Sequence, residues 1–159
     1  MSKSPKLIHA ERNKSLSEEL KNGNKYYDWV ITTSFYSSIH FLENKLLPIT
    51  IGSNTCNNIQ KVKNAYNLKG RHIARLKLIQ INTPIEIAVG YKWLDDRSRF
   101  SRYTTYKVTP TEADKAIQYL NKIIAKLLFH IVQDADFLEI RFSDFKHLFC
   151  LIFKVRYDF

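Results

Sequence analysis

One segment in the second half of the chain constrains the fold more than any other. Apolar residues recur there at the spacing of helical turns and form a nearly uninterrupted stripe, made of Ala113, Ala116, Ile117, Leu120, Ile124, Leu127 and Ile131. This spacing predicts an amphipathic helix with one long buried face. Thr-Pro-Thr-Glu at residues 109–112 begins it, because the Thr109 hydroxyl can cap the first turn while Glu112 reaches back to the Thr109 backbone.

The same starting signal occurs a second time, as Thr-Pro-Ile-Glu at residues 83–86. It predicts that Thr83 and Glu86 cap another helix, which we expect to continue to about Tyr103. The 159-residue chain holds only four Gly and four Pro, whereas an all-β domain needs many tight turns that use these residues. We therefore predict an all-α fold in a single domain.

The first half of the chain contains three further helical patterns, at residues 5–21, 25–47 and 57–80. The last of them predicts one or two short helices with a break near Gly70, since glycine interrupts helices. Residues 48–56 are expected to form a loop. Together with the two helices above, these segments predict an up-and-down bundle of four to five helices over residues 1–133.

The pattern at residues 25–47 carries two stripes. The first ends before Pro48 and consists of Tyr27, Ile31, Phe35, Leu42 and Leu46. The second consists of Trp29, Tyr36 and His40. We therefore expect this helix to be packed on two sides.

The final segment, residues 134–159, is unusually apolar because of Phe137, Ile140, Phe142, Phe145, Leu148, Phe149, Leu151, Ile152 and Phe153. It fits either a last helix or a strand-like edge. Such a segment favours aggregation when it is exposed. We expect a C-terminal extension that packs on the bundle or against a second copy of the chain.

Positive charge is concentrated in two runs of a chain whose formal net charge is +10. No acidic residue lies between Glu43 and Glu86, a stretch that carries Lys45, Lys61, Lys63, Lys69, Arg71, Arg75 and Lys77. A second acid-free run after Asp96 carries Arg97, Arg99, Arg102 and Lys107. Such excess attracts polyanions through counterion release, so RNA or a nucleotide is the expected ligand. A solvated basic face, or a site for an acidic protein, is the alternative.

Several functional classes lack their sequence signals. The two cysteines, Cys56 and Cys150, have no metal-binding spacing and fit a reduced, cytoplasmic protein. There is no Gly-rich phosphate loop, no HExxH motif and no serine nucleophile elbow. The start of the chain does not resemble a signal peptide, and no apolar run approaches the ~18 residues of a membrane span. We expect no metal, no cofactor and no membrane association.

Arg141 and His147 are the first candidates for chemistry. On one helix face, His147 can act as a general acid or base while Arg141 holds a phosphate. A metal-independent endoribonuclease that uses the ribose 2′-OH needs those two roles. Chance gives about 0.75 such Arg–His spacings in a chain of this composition, so the pair is a weak signal.

Two basic clusters are candidate phosphate sites. Arg71, His72 and Arg75 lie at a predicted loop-to-helix junction, where a phosphate can meet free backbone N–H groups. Arg99 and Arg102 share a helix face that Tyr103 ends. The alternatives are a surface basic cluster for the first group and internal pairing for the second, since Asp95 and Asp96 lie one turn before Arg99.

Tyr36 and His40 form a possible interior site, with Glu43 one turn further along the helix. A histidine on a largely apolar helix is more often a core or interface residue than a catalyst, and that alternative stays open.

Two segments resemble the HEPN superfamily of prokaryotic helical domains. One is DWVITTSFYSSIHFLE at residues 28–43, and the other runs from YKWL at residues 91–94 into SRFSRY at residues 98–103. His-Ile-Ala-Arg at residues 72–75 is similar to the central H-x-x-R element of small members. The resemblance covers roughly residues 8–128.

The HEPN resemblance implies a helical bundle, usually dimeric, beside a nucleotidyltransferase-like, antitoxin or antiviral-defence partner. Many members are metal-independent ribonucleases with an R-x4-6-H motif. Within the matching region no arginine precedes a histidine at that distance. The resemblance therefore favours the branch that binds nucleotides, nucleic acid or partner proteins.

Overall fold

This computed structural model describes the backbone of residues 3–104 and 107–136, with side chains as far as Leu127. The helices are α1 (Pro5–Asn22), α2 (Tyr27–Leu46), α3 (Ile59–Ala65), α4 (Arg71–Asn82), α5 (Ile85–Tyr103) and α6 (Pro110–Asp136). The predicted all-α helical bundle is confirmed. Within the described ranges it has six helices rather than four or five, because residues 57–80 form two. Of these helices, none is long and apolar enough to cross a membrane.

Residues up to Leu127 form one compact unit with a main core between α2, α4, α5 and α6. Its buried members are Ile31, Phe35, Ile39, Leu42, Ile79, Ile87, Ala88, Tyr91, Leu94, Ala116, Ile123 and Leu127. Ala116 and Leu127 come from the predicted α6 stripe, whereas Ile123 was not part of it; Ala113, Leu120 and Ile124 of the stripe are buried as well. The extension predicted at residues 134–159 begins within α6, which continues to Asp136, and the rest of it lies outside the described residues, as do Arg141 and His147.

Helix α2 is packed on two sides, as predicted, but not through the predicted second stripe. Its second buried side consists of small polar residues that lie against α1, where Ser37 Oγ donates to the Ala10 carbonyl oxygen at 2.8 Å. Small side chains allow two helix backbones to approach closely. Trp29 and Tyr36 remain exposed instead, with Trp29 54% exposed.

The predicted loop at residues 48–56 is wrong in part. The strands β1 (Ile49–Ile51) and β2 (Asn54–Cys56) pair antiparallel, with Ile49 opposite Cys56. Gly52 has a positive φ of 59° at the first position of the two-residue turn, which glycine adopts without a steric penalty. Buried Cys56 joins this hairpin to a smaller core with α3 and α4.

Only one of the two predicted capping boxes, the reciprocal Thr and Glu caps at residues 83–86 and 109–112, is present. At α6 the box is present, since Thr109 Oγ1 accepts from the Glu112 N–H at 3.2 Å and Glu112 Oε2 accepts from the Thr109 N–H at 2.9 Å. At α5 the prediction is wrong. Thr83 Oγ1 donates to the Ile79 carbonyl at 2.8 Å, because α4 ends directly before α5 and the hydroxyl closes α4 instead.

Candidate functional site

A groove of about 490 Å³ opens where the middle of α2, the start of α4 and the end of α5 meet. Its lining residues are Tyr36, Ile39, His40, Arg71, His72, Arg75, Arg99, Arg102 and Tyr103. We call it the basic groove. It brings together every site residue predicted within the described part of the chain, although those residues span almost 70 positions of sequence. The charge and the contacts of these side chains decide whether the groove can bind a ligand.

Buried Asp95 organises one wall of the basic groove. Its carboxylate accepts from Arg99 Nε at 2.9 Å and from Arg99 Nη2, so the predicted pairing one turn along α5 is present. The same carboxylate lies 3.2 Å from His72 Nδ1 on α4. The hydrogen bond from Arg99 to Asp95 raises the pKa of that guanidinium. Arg99 is therefore a neutralised, fixed part of the wall. Asp96 pairs with Lys92 instead.

Arg75 is held by a carboxylate on another helix. Its Nε lies 2.6 Å from Glu43 Oε1, and the two side chains are only 16% and 12% exposed. Lys6 Nζ lies 3.8 Å from the other Glu43 oxygen. A partly buried pair of this kind fixes α4 on α2, and its cation is not available to a ligand without leaving Glu43 unpaired.

No carboxylate among the described residues holds Arg102. Its Nε and Nη2 donate to the Ser98 carbonyl and hydroxyl oxygens at 2.9 and 3.0 Å, and Nη1 donates to the Tyr36 hydroxyl at 3.2 Å. The guanidinium carbon lies 5.7 Å from the Tyr36 ring centre and 5.2 Å from that of Tyr103. These contacts fix the side chain in place while its charge stays uncompensated.

Arg71 is the first residue of α4 and is exposed. Among the residues that the structure describes, none provides it with a carboxylate partner. Gly70 precedes it as the N-cap and offers no capping side chain, and the first turn of α4 holds no acidic residue. The Arg71 charge therefore adds to the partial positive charge of the helix start.

Both histidines of the basic groove are biased toward their neutral form. Burial lowers the pKa of His72 from 6.5 more than the nearby Asp95 carboxylate raises it. Burial also lowers the pKa of His40, and His9, whose ring centre lies 5.4 Å away, lowers it further. At pH 7 the groove therefore carries its charge on arginine and not on histidine.

The partners of these arginines are what sequence reasoning missed. Glu43 and Arg75 are 32 residues apart, and Tyr36 and Arg102 are 66 apart, so no local spacing signals either contact. The buried Phe35 ring, which stacks on His72 at 6.1 Å, was predicted only as a core residue.

Comparison with known proteins does not assign the chain to a family. No protein-family model, no curated protein and no solved structure matches the chain. The HEPN resemblance therefore stays a prediction, and the residues of the basic groove are the observations that bear on function.

Proposed function

We propose that the chain binds RNA or nucleotide phosphates in the basic groove. The observation that carries this proposal is the pair Arg71 and Arg102, two guanidinium groups in one groove that lack a carboxylate partner among the described residues. A guanidinium group matches two oxygens of a phosphate, and charge-assisted hydrogen bonds of this kind are among the strongest in proteins.

Exposed aromatic rings beside these arginines favour a nucleotide over other anions. Tyr103 is 74% exposed and Tyr36 is 40% exposed, and both line the basic groove. A tyrosine ring offers a base a surface on which to stack. The accessory role in a toxin–antitoxin or antiviral system, with a homodimer, follows from the HEPN resemblance alone and stays a prediction.

Replacing Arg71 or Arg102 by Gln should weaken binding of single-stranded RNA about tenfold per residue, because each loses a charged hydrogen bond of about 1.5 kcal/mol. The slope of log affinity against log salt should fall by about one for each arginine. Fluorescence anisotropy of labelled RNA over a salt series measures both. Lys77→Gln, an exposed lysine of α4 outside the groove lining, is the matched control. Equal affinity for all three variants and the unaltered chain would contradict the proposal.

Metal-independent RNA cleavage in the same groove is a second candidate function. The observation that favours it is the contact between His72 Nδ1 and Asp95, because a carboxylate on Nδ1 leaves Nε2 able to accept a proton. His72 would take the proton of a ribose 2′-OH, whose oxygen then attacks the neighbouring phosphorus. The 5′ oxygen would leave with a proton from water, since His40 is biased toward its neutral form.

If the groove cleaves RNA, cleavage of end-labelled RNA in EDTA should disappear in His72→Ala. Its rate should rise with pH through the His72 pKa, which is below 6.5, and then stay level, since a general base must be deprotonated. The control is His147→Ala. Loss of cleavage in that variant alone would instead support the pair Arg141 and His147, and no cleavage by the unaltered chain would leave only the binding function.

A further inference from the structure

Among the residues that the structure describes, the carboxylates leave two positive charges of the basic groove uncompensated. Four arginines line it, and the carboxylates of Glu43 and Asp95 neutralise Arg75 and Arg99. Since His40 and His72 are biased toward the neutral form, Arg71 and Arg102 supply the remaining positive charge of the groove. Each phosphodiester of an RNA strand carries one negative charge, whereas a phosphomonoester carries about −1.5 to −2 at pH 7. A single terminal phosphate therefore matches this charge better than one internal phosphate.

Arg102 is arranged to receive such a group. Of the five N–H donors of a guanidinium, the Ser98 and Tyr36 oxygens use one on Nε, one on Nη1 and one on Nη2. One N–H remains on each Nη atom, so Arg102 keeps two donors for phosphate oxygens. Because the protein already fixes the guanidinium, little side-chain entropy is lost when the phosphate binds.

The size of the basic groove also favours one nucleotide over a continuous strand. Its volume of about 490 Å³ lies within the usual range for a small-molecule pocket. Single-strand binding proteins instead use a track of several nucleotides with repeated stacking positions. The groove has two tyrosine rings among the described residues, Tyr36, which already bonds Arg102, and the more exposed Tyr103.

We propose that the ligand of the basic groove is a nucleotide, free or at the end of an RNA, that bears a terminal phosphomonoester. The phosphate binds Arg71 and Arg102, and the base stacks on Tyr103. This inference rests on the proposed function, since it specifies which nucleotide phosphate the same groove prefers.

The test compares short, internally labelled RNAs of one sequence that carry a 5′-phosphate, a 3′-phosphate or only hydroxyl ends. With the full chain, anisotropy should show at least about tenfold tighter binding of one phosphorylated form than of the hydroxyl form. In the Arg71→Gln/Arg102→Gln double variant that difference should disappear, while Lys77→Gln keeps it. A nucleoside monophosphate should displace the RNA at a lower concentration than either the nucleoside or inorganic phosphate does.

Each contrary result has a separate meaning. Equal affinity for phosphorylated and hydroxyl ends would overturn this inference and leave the proposed function intact. No binding of any RNA or nucleotide would overturn both. Displacement by inorganic phosphate at the same concentration as by the nucleoside monophosphate would remove the base from the site. Because Tyr103 is exposed, its replacement by Ala should not disturb folding. If the base is not in the site, Tyr103→Ala should bind the nucleotide as tightly as the unaltered chain, whereas the inference requires weaker nucleotide binding.

Discussion

Arg75→Met is expected to lower the free energy of unfolding by about 3 kcal/mol. The substitution leaves Glu43, whose side chain is 12% exposed, without the guanidinium at 2.6 Å. Lys6 Nζ lies farther from the Glu43 carboxylate, at 3.8 Å, and cannot replace the guanidinium fully. Because a poorly solvated carboxylate without a partner is costly, the loss should exceed the value of the ion pair itself. Urea unfolding followed by circular dichroism measures it.

Two further variants separate this explanation from a general loss of charge. Arg71→Gln removes an exposed arginine that has no carboxylate partner in the described part of the chain, and it should change stability by less than about 0.5 kcal/mol. The double variant Arg75→Met/Glu43→Leu removes both charges and should recover much of the loss, since the unpaired carboxylate is gone. Arg75 would not be a structural arginine if replacing Arg71 and replacing Arg75 lowered the free energy of unfolding equally, or if the double variant regained none of that free energy.

Helices and their local pairs were predictable because their signals lie within a few residues of sequence. The α6 stripe and its Thr109 cap depend on spacings of three and four residues, and so does the pairing of Asp95 with Arg99. Thr83 shows the limit of such reasoning. Its motif matches that of Thr109, but α4 ends directly before it, and only the structure shows which helix uses the hydroxyl.

The arginines of the basic groove were predictable from charge as candidate phosphate ligands, but their meeting in one groove was not. The sequence named Arg71 with Arg75 and Arg99 with Arg102 as two separate clusters, and it signalled a neutralising partner only for Arg99. Two of these arginines are neutralised, one by a carboxylate 32 residues away, and such a contact exists only once α2 and α4 have packed. The hairpin at residues 49–56 was missed for a related reason, since strands of three residues are too short to show an alternating pattern.

Phe35→Ala is expected to be the most destabilising single change in the described core, by about 4 kcal/mol. Phe35 is 1% exposed, and its ring lies 5.7 Å from the buried Tyr91 ring and 6.1 Å from the His72 ring. Truncation leaves a cavity between α2 and α5 and removes the surface on which His72 stacks. The change should therefore affect both the stability of the core and the geometry of the basic groove. Chemical unfolding at several protein concentrations is the appropriate measurement.

Trp29 provides the matched control, because it is an aromatic residue of the same helix that is 54% exposed. In a monomer, Trp29→Ala should cost less than about 1 kcal/mol. If Trp29→Ala lowers the free energy of unfolding about as much as Phe35→Ala does, the side of α2 that carries Trp29 is not exposed in solution. If that cost also grew with protein concentration, a second copy of the chain would have to cover Trp29, since the stability of a dimer depends on concentration whereas that of a monomer does not. The dimer that the HEPN resemblance predicts would then lie along α2, next to the basic groove.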